Sequence, residues 1–436
     1  MPLDKNRVDP GDSGGSGEVP SCYGFAPAFF NLCETTRMLH IALELRRRGE
    51  EVVFFSHGGH FEHLVEERGL PVVRIEPRLS EQLIEHMLQI ARLEKWGNFL
   101  TVDQIRSHVT AEVSAYRQHR LRVLVTGFNF TSSISARAVG VPLVWFVQAP
   151  SVTEYYTQRL AAFPDALLYP PLRVLPRRFL DWLTNVGATR FGIGMGPFNK
   201  VAGEYGVAPF ATFLFLLRGD LTLVGDLLEL TRLRPTEQLP PEHFVGPILS
   251  AVSETIDPAV ADHIEEGHRA GRRPVFLAMG SSGNPELFSS IVGYLDTRHD
   301  LQPVVAYTNI VTEEQLPEVS DRVLLRRLVL AEEVARRVDL AIIHGGHGTT
   351  YTQAYSGTPF VGIPMQMEQQ YNLDALVQLG CGLVVPRRRF REAHLGEAID
   401  TIFANYHYYK ENAVALRERL PESRAVEESA NLILDL

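Results

Sequence analysis

At 436 residues the chain is too long for a single ordinary core, so two domains of about 200 residues each are expected. A content of 45% hydrophobic and 22% charged residues excludes a mainly disordered chain, and no run of about 18 apolar residues offers a membrane span. The formal net charge of −10 argues against nucleic acid as a partner, so an anionic ligand would have to be held locally, by backbone and a few side chains.

Residues 1–20, rich in Gly, Ser and Asp and without an apolar core, read as a disordered leader and not as a signal peptide. The three cysteines, Cys22, Cys33 and Cys381, make neither a CxxC pair nor a disulfide framework and fit a reducing, cytoplasmic setting. From there apolar stretches alternate with amphipathic ones. CYGFAPAFF predicts a buried strand, and ETTRMLHIALELRRRG a helix closed by Gly49 with arginines in its last turn. EEVVFFS is a second strand, FEHLVEERG a helix and PVVRI a third strand, and RVLVTG and VPLVWFV continue the series. Residues 145–218 are rich in Phe, Tyr, Trp and Pro; beside a cleft they could grip a hydrophobic ligand, or they could simply pack one helix on another.

The proline-rich RPTEQLPPEHFVGPI reads as a linker, and the same grammar restarts beyond it with RPVFLAMG, LQPVVAYT, RVLLRRL, DLAIIHGG and TPFVGIP. The expected fold class is therefore α/β, two doubly wound Rossmann-like domains of parallel sheet facing a central cleft. Residues 21–234 form the first, 235–250 the linker and 251–405 the second, with C-terminal helices over 406–436 packing back on the first. The likeness of SHGGH to IHGGHG falls at unrelated places in the two halves and carries no repeat.

One segment, HGGHGTTYTQAYSGTPFVGIPMQMEQQYN from His344 to Asn372, combines glycines, histidines and hydroxyls behind an apolar run. In doubly wound sheets ligands sit beyond the carboxyl ends of strands, where Gly345, Gly346 and Gly348 fall. Bare backbone there lets a bulky anion approach, helix-start N–H groups favour negative charge, and Thr349 and Thr350 can cap the helix or offer hydroxyls. His344, at the strand end, can add a hydrogen-bond donor. The loop is built for a phosphate-bearing ligand.

The same stretch resembles the donor-binding signature of nucleotide-sugar-dependent glycosyltransferases of the GT-B, UDP-glycosyltransferase-like type. There H-x-G-x-x-S/T opens the phosphate loop and an acidic residue and glutamine precede an asparagine; Glu368, Gln369 and Asn372 fall at those spacings after Gly357 and Pro359. HFVGPI and LAMGSSG resemble the same family, so the likeness spans the ordered chain. It implies that residues 21–234 bind an acceptor and residues 251–405 the nucleotide sugar. It makes His344, Gly346, His347, Gly348 and Thr349 the pyrophosphate binders, with Ser281 near the same phosphates. Glu368 and Gln369 would meet hydroxyls of the donor sugar, with Asn372 completing the set, and the Val329 backbone would contact the nucleobase. The chain departs from the pattern at Thr352, where relatives carry a carboxylate for the ribose, at Leu328, where an aromatic is common, and at Leu330, where proline is usual. The expected co-substrate is a UDP- or TDP-linked sugar, with no further cofactor.

Family members that glycosylate oxygen usually carry a histidine at the start of the first helix, oriented by an aspartate after a later strand. The corresponding segment is CETTR, with Glu34 in the histidine's place, and no acid lies near Thr126 and Gly127. An acceptor hydroxyl is a poor nucleophile until its proton is taken, so Glu34, with a pKa raised by burial, is the candidate base; the alternative is an ordinary first-turn acid favouring the helix dipole. His57, His60 and His63 could put two rings on one helical face for a metal or simply be solvated; no metal is expected, and the helix dipole and His344 would neutralise the leaving group. The resemblance implies inverting hexosyl transfer to a small, hydrophobic or aromatic acceptor, as in natural-product glycosylation. Rival readings are an auxiliary nucleotide-sugar-binding protein, an epimerase, or a transferase acting on a lipid acceptor. Peripheral membrane contact is suggested by Arg173, Arg177, Arg178 and Arg190 amid apolar residues.

Overall fold

In the computed structural model, which describes residues 22–249, 255–280, 283–308 and 310–436, the strands fall into two six-stranded sheets. The first contains β1 (Cys22–Ala26), β2 (Glu51–Ser56), β3 (Val72–Arg74), β4 (Leu121–Thr126), β5 (Leu143–Val147) and β6 (Leu221–Val224). The second contains β7 (Arg273–Ala278), β8 (Leu301–Ala306), β9 (Leu324–Arg326), β10 (Leu340–Ile343), β11 (Phe360–Gly362) and β12 (Gly382–Val384). Spatial order is β3-β2-β1-β4-β5-β6 in one and β12-β11-β10-β7-β8-β9 in the other, the same winding read from opposite edges, with every pairing parallel. Two doubly wound α/β domains follow. Helices cover both faces of such sheets, which is why CYGFA and LVWFV are buried throughout.

Local chemistry sets the element ends. The first strand stops at Ala26, short of the expected CYGFAPAFF, because Pro27 cannot donate to the ladder. Phe29 and Phe30 are buried in the following turn, on which Gly59 packs so closely that a Cβ would lie 2.3 Å from the Phe29 carbonyl carbon. The first helix then runs Leu32–Arg47, capped by Asn31, whose side chain accepts from the Glu34 N–H at 3.2 Å. Two helices between β3 and β4, Glu81–Ala91 and Val102–His119, add a wall beside the sheet.

The segment expected as a linker is partly built into the first sheet. Phe244 bridges Val224 in parallel, the Val245 N–H donates to the Val224 carbonyl at 3.0 Å, and Phe244, Val245 and Ile248 are buried. At the other end of the chain, helix Tyr406–Arg419 lies against helix His347–Ser356 in the second domain, and helix Ala425–Leu434 returns to the first helix. Ala425, Ala430 and Ile433 join the core of the first domain, and Arg48 clamps this last helix by donating to the Asn431 side chain at 2.6 Å and the Glu427 carbonyl at 3.3 Å. No helix among the described residues is long and apolar enough to cross a membrane.

Because Ile433 is fully buried in the core of the other end's domain, Ile433→Ala should cost about 2 to 5 kcal/mol and lower the urea midpoint of the first domain's transition, followed by circular dichroism.

Candidate active site at the interdomain cleft

In a sheet wound 3-2-1-4-5-6 the connections leave strands one and four in opposite directions, and the crevice between them is the natural ligand site. In the first domain that crevice lies between the loops after β1 and β4, and Glu34 spans it. Its Oε1 accepts from the Ala28 N–H at 3.1 Å on the β1 side and from the Phe128 N–H at 2.6 Å on the β4 side. A Cβ at Gly127 would lie 2.8 Å from that oxygen, so bare backbone is needed there. Glu34 is 4% exposed, and burial pushes its pKa up to about 7 against the pull of the amide donors and of Arg37. Both of these bonds fall on the same oxygen, Oε1.

The second domain repeats the geometry with an imidazole. His344 follows β10, and its ring lies against the glycine turn after β7: Cβ atoms at Gly280 and Gly346 would come within 2.5 and 2.3 Å of it. Its Nδ1 faces the Ala278 carbonyl and the Thr349 hydroxyl, each at 3.4 Å. Burial pushes the pKa down to about 4, which keeps the ring neutral while no anion lies beside it. The Thr349 hydroxyl donates to the Gly346 carbonyl at 2.9 Å, so its proton is spent on the helix start, while the Thr350 hydroxyl is buried without a partner on the side away from that loop. It lines a cavity of about 380 Å³ with Tyr155, Asp226 and Tyr371. Helix His347–Ser356 begins after Gly346, and the N–H groups of His347, Gly348 and Thr349 open its first turn.

His347 serves differently from the expectation. Its Nε2 donates to the Gly225 carbonyl at 2.7 Å, close to Asp226 Oδ1 at 3.3 Å, and its Nδ1 accepts from Arg37 Nη2 at 3.3 Å. Both ring nitrogens are therefore committed across the domain boundary, and only its backbone N–H remains for an anion. The Gln369 side-chain oxygen accepts from the Met365 and Gln366 N–H groups at 2.9 and 3.3 Å, a capping box that shapes its own loop. Glu368 faces the cleft. Burial and nearby Asp226 raise its pKa, Asn372 donates to it at 3.3 Å while also holding the Gly345 carbonyl at 3.0 Å, and Gln148, its amide nitrogen turned toward the carboxylate, donates from the end of β5.

Arg37, Asp226 and Gln148 were not singled out from the sequence. Arg37 lies one turn beyond Glu34 on a face that is otherwise core, and Asp226 follows the buried strand LTLV after a single glycine; a charge in either setting is a legible signal. Val329 lies on the loop between β9 and the helix Ala331–Arg337, on the same carboxyl edge as His344 but three strands away, roughly 14 Å. Leu328 is exposed there, and Thr352 is half-buried on the cradle helix. Ser281 lies outside the described residues.

Beside Glu34 opens a cavity of about 460 Å³, including its mouth, lined by Ala28, Phe30, Met87, Leu100, Phe128 and Phe130 among others. Its aromatic wall is thus built from the β1 and β4 loops and from the helices between β3 and β4, and residues 145–218, for which ligand grip and helix packing were both open, line none of it. His57 and His108 complete the wall. Both His57 nitrogens face acceptors, the Pro77 carbonyl at 3.0 Å and the buried Glu112 carboxylate at 3.2 Å, so the ring is locked into the scaffold. His60 turns instead to exposed Glu81 at 3.3 Å, and the histidines of SHGGHFEHL do not converge.

A family model described as Erythromycin biosynthesis protein CIII-like, C-terminal domain, matches residues 298–433. A glycosyltransferase of PGL/p-HBAD biosynthesis from Mycobacterium tuberculosis is 25% identical over 333 residues, covering 73% of this chain and 71% of its own. The spinosyn forosaminyltransferase SpnP superposes with a TM-score of 0.64 at 14% identity over 95% of this chain and 98% of its own. The spinosyn rhamnosyltransferase SpnG, complexed with thymidine diphosphate, does so at 0.61 and 15% identity over 95% and 100%. At these identities the structural likenesses show a shared fold.

The raised pKa of Glu34 makes folding pH-dependent. An acid ionising near 7 when folded and near its ordinary value when unfolded binds more protons in the native state between those values, so stability falls as pH rises through that window. Glu34→Gln should abolish this slope, matching or trailing the wild type at pH 5 and exceeding it at pH 8 by on the order of 3 kcal/mol, measured by urea unfolding.

Proposed function

The chain is a nucleotide-sugar-dependent glycosyltransferase of the GT-B fold, and on that premise we propose that it transfers the sugar with inversion to a hydroxyl of a small, apolar or aromatic acceptor. The observation that carries this reading is the Glu34 carboxylate, clamped by two backbone amides beside an aromatic cavity, one residue from Cys33, whose sulfur lies against Gly348 of the glycine cradle. In the reaction, Oε2 takes the acceptor proton as the hydroxyl oxygen attacks the anomeric carbon, and the diphosphate leaves from the opposite face toward the first turn of the cradle helix. Leaving-group charge falls on the N–H groups of His347, Gly348 and Thr349 and on the helix dipole. His344, whose Nδ1 faces the Ala278 carbonyl, joins them through Nε2 once the arriving diphosphate draws a second proton onto the ring. Glu368, oriented by Asn372 and Gln148, accepts from sugar hydroxyls.

For the donor base we propose a thymidine diphosphate sugar over a uridine one. Thr352 stands where relatives hold the ribose with a carboxylate, and a deoxyribose lacks the 2′-hydroxyl such a group would bind. The neighbour SpnG has been solved with thymidine diphosphate and with a spinosyn aglycone, which supports a small-molecule acceptor as well.

Thermal stabilisation by thymidine diphosphate should exceed that by uridine diphosphate at equal concentration. His344→Ala should weaken binding of the preferred nucleotide by roughly 10- to 100-fold, the loss of one hydrogen bond to a charged group. Unchanged affinity in the variant would remove His344 from the site.

With an aliphatic alcohol as acceptor, turnover should rise with pH through about 7 as Glu34 ionises, and Glu34→Gln should lose that limb and about 10²- to 10⁴-fold in kcat with donor affinity unmoved. Acceptors that arrive nearly deprotonated, such as acidic phenols, should recover much of the loss. Wild-type rates on the alcohol in the variant would dismiss Glu34 as the base.

A further inference from the structure

We infer that the outward face of helix Arg177–Arg190, with the loops at its two ends, docks onto an anionic phospholipid bilayer; this goes beyond the transfer reading and does not rest on it. Of the thirteen exposed large hydrophobic residues among the described ones, eight lie between Tyr169 and Ile193. On the helix they form one stripe: Phe179, Trp182 and Leu183 are exposed and Val186 half-buried, at the 3, 4 and 7 spacing of a single helical face. The helix is held to the domain by its opposite side. Leu180 is buried, and the Asn185 amide donates to the Ala161 carbonyl at 2.7 Å and accepts from its N–H at 3.3 Å. Phe179 and Trp182 stack at 5.7 Å, a platform presented to solvent. Beyond the helix ends Val174 and Ile193 protrude, 83% and 82% exposed.

Charge identifies what covers this face. Between Tyr169 and Ile193 the chain carries four arginines against one aspartate, although the whole molecule is at −10. Arg177 is taken by Asp165 at 2.8 Å, whereas Arg173, Arg178 and Arg190 are exposed and, among the described residues, have no carboxylate partner. At the start of the helix Arg173, Arg177 and Arg388 line a cavity of about 510 Å³, including its mouth, whose only acid among the described residues is Asp165. A second copy of the chain docked by two-fold symmetry would set these arginines against themselves. A helix roughly 21 Å long, lying flat with aromatic and aliphatic groups outward and arginines at the margins, matches instead the interface of a bilayer bearing negative headgroups.

The test uses the full chain and sedimented vesicles of phosphatidylcholine, with and without phosphatidylserine. Binding should be about tenfold or more tighter to the anionic vesicles and should weaken as salt rises. In a Trp96→Phe background the emission of Trp182 should shift to the blue on binding, because the third tryptophan, Trp145, is fully buried and stays silent. The double variant Arg178→Glu, Arg190→Glu should lose the anionic preference, and Trp182→Ser should lose the spectral shift and most binding, both with unchanged nucleotide affinity. Absent binding, equal binding to neutral vesicles, or undiminished binding by these variants would overturn the inference. So would a concentration-dependent dimer that Trp182→Ser abolishes in the absence of vesicle binding, or an acidic protein that competes for the face when vesicles do not bind.

Discussion

The two halves of the molecule are joined by a buried polar chain from Arg37 through His347 to Asp226, and the geometry of the cleft depends on it. Arg37 stacks on Phe146, its guanidinium 4.6 Å from the ring centroid, and donates to His347; His347 donates to the Gly225 carbonyl beside Asp226. Asp226 accepts in turn from the Ala149 N–H at 2.6 Å and the Tyr351 hydroxyl at 2.9 Å. Burial alone would raise the Asp226 pKa, yet His347 and these donors hold it below the ordinary carboxylate range. Such a network is uncompensated if any one member is removed, so it specifies a single mutual placement of the halves more than it adds to stability. Because Arg37 is one turn from Glu34 and His347 opens the cradle helix, that placement also fixes the Glu34 carboxylate relative to the glycine loop.

The same reasoning explains why a glutamate can stand where a histidine is usual. A histidine base needs a carboxylate to hold its tautomer and bear its charge after protonation. A glutamate needs the reverse: hydrogen-bond donors to orient the carboxylate and a dry setting to raise its basicity. The end of β4 supplies both without an acid. The Thr126 hydroxyl is spent on the Ala26 carbonyl at 2.9 Å, tying β1 to β4, Gly127 makes room, and the Phe128 N–H reaches Oε1. An aspartate at this place would crowd and repel Glu34, so the absence of an acid after β4 suits a buried glutamate here.

What could be read from the sequence was local. Apolar runs bounded by glycine and proline marked the strands, and the glycine spacing after DLAIIH marked the cradle, because both depend on neighbours within a few residues. The roles of single side chains were less legible. His347 and Arg37 are far apart in the chain, so the contact that commits the imbidazole leaves no spacing to notice. Gln369 is a partial exception, since Gln366 three residues before it is capping-box spacing. The aromatic cavity was hidden for a different reason. The densest aromatic stretch, residues 145–218, spends Tyr155 and Tyr156 on packing and turns Trp182 and Phe179 outward, whereas Phe30, Phe128 and Phe130 converge only through the sheet's winding.

An acidic molecule that handles a diphosphate must overcome its own field, and the structure does so without bringing unpaired cations to the cradle. The donors there are backbone N–H groups, joined by a buried imidazole that is neutral until an anion arrives, and their attraction falls off within a few ångströms and depends on direction. They act only on a phosphate already in register with the loop, so discrimination comes from fit and not from long-range steering. The arginines are gathered on the helix Arg177–Arg190 and its flanks, where a charge works at longer range and orientation matters less. On the proposed bilayer contact, net charge and local charge do separate jobs: the first opposes nonspecific polyanions, and the second draws a negative surface to one face.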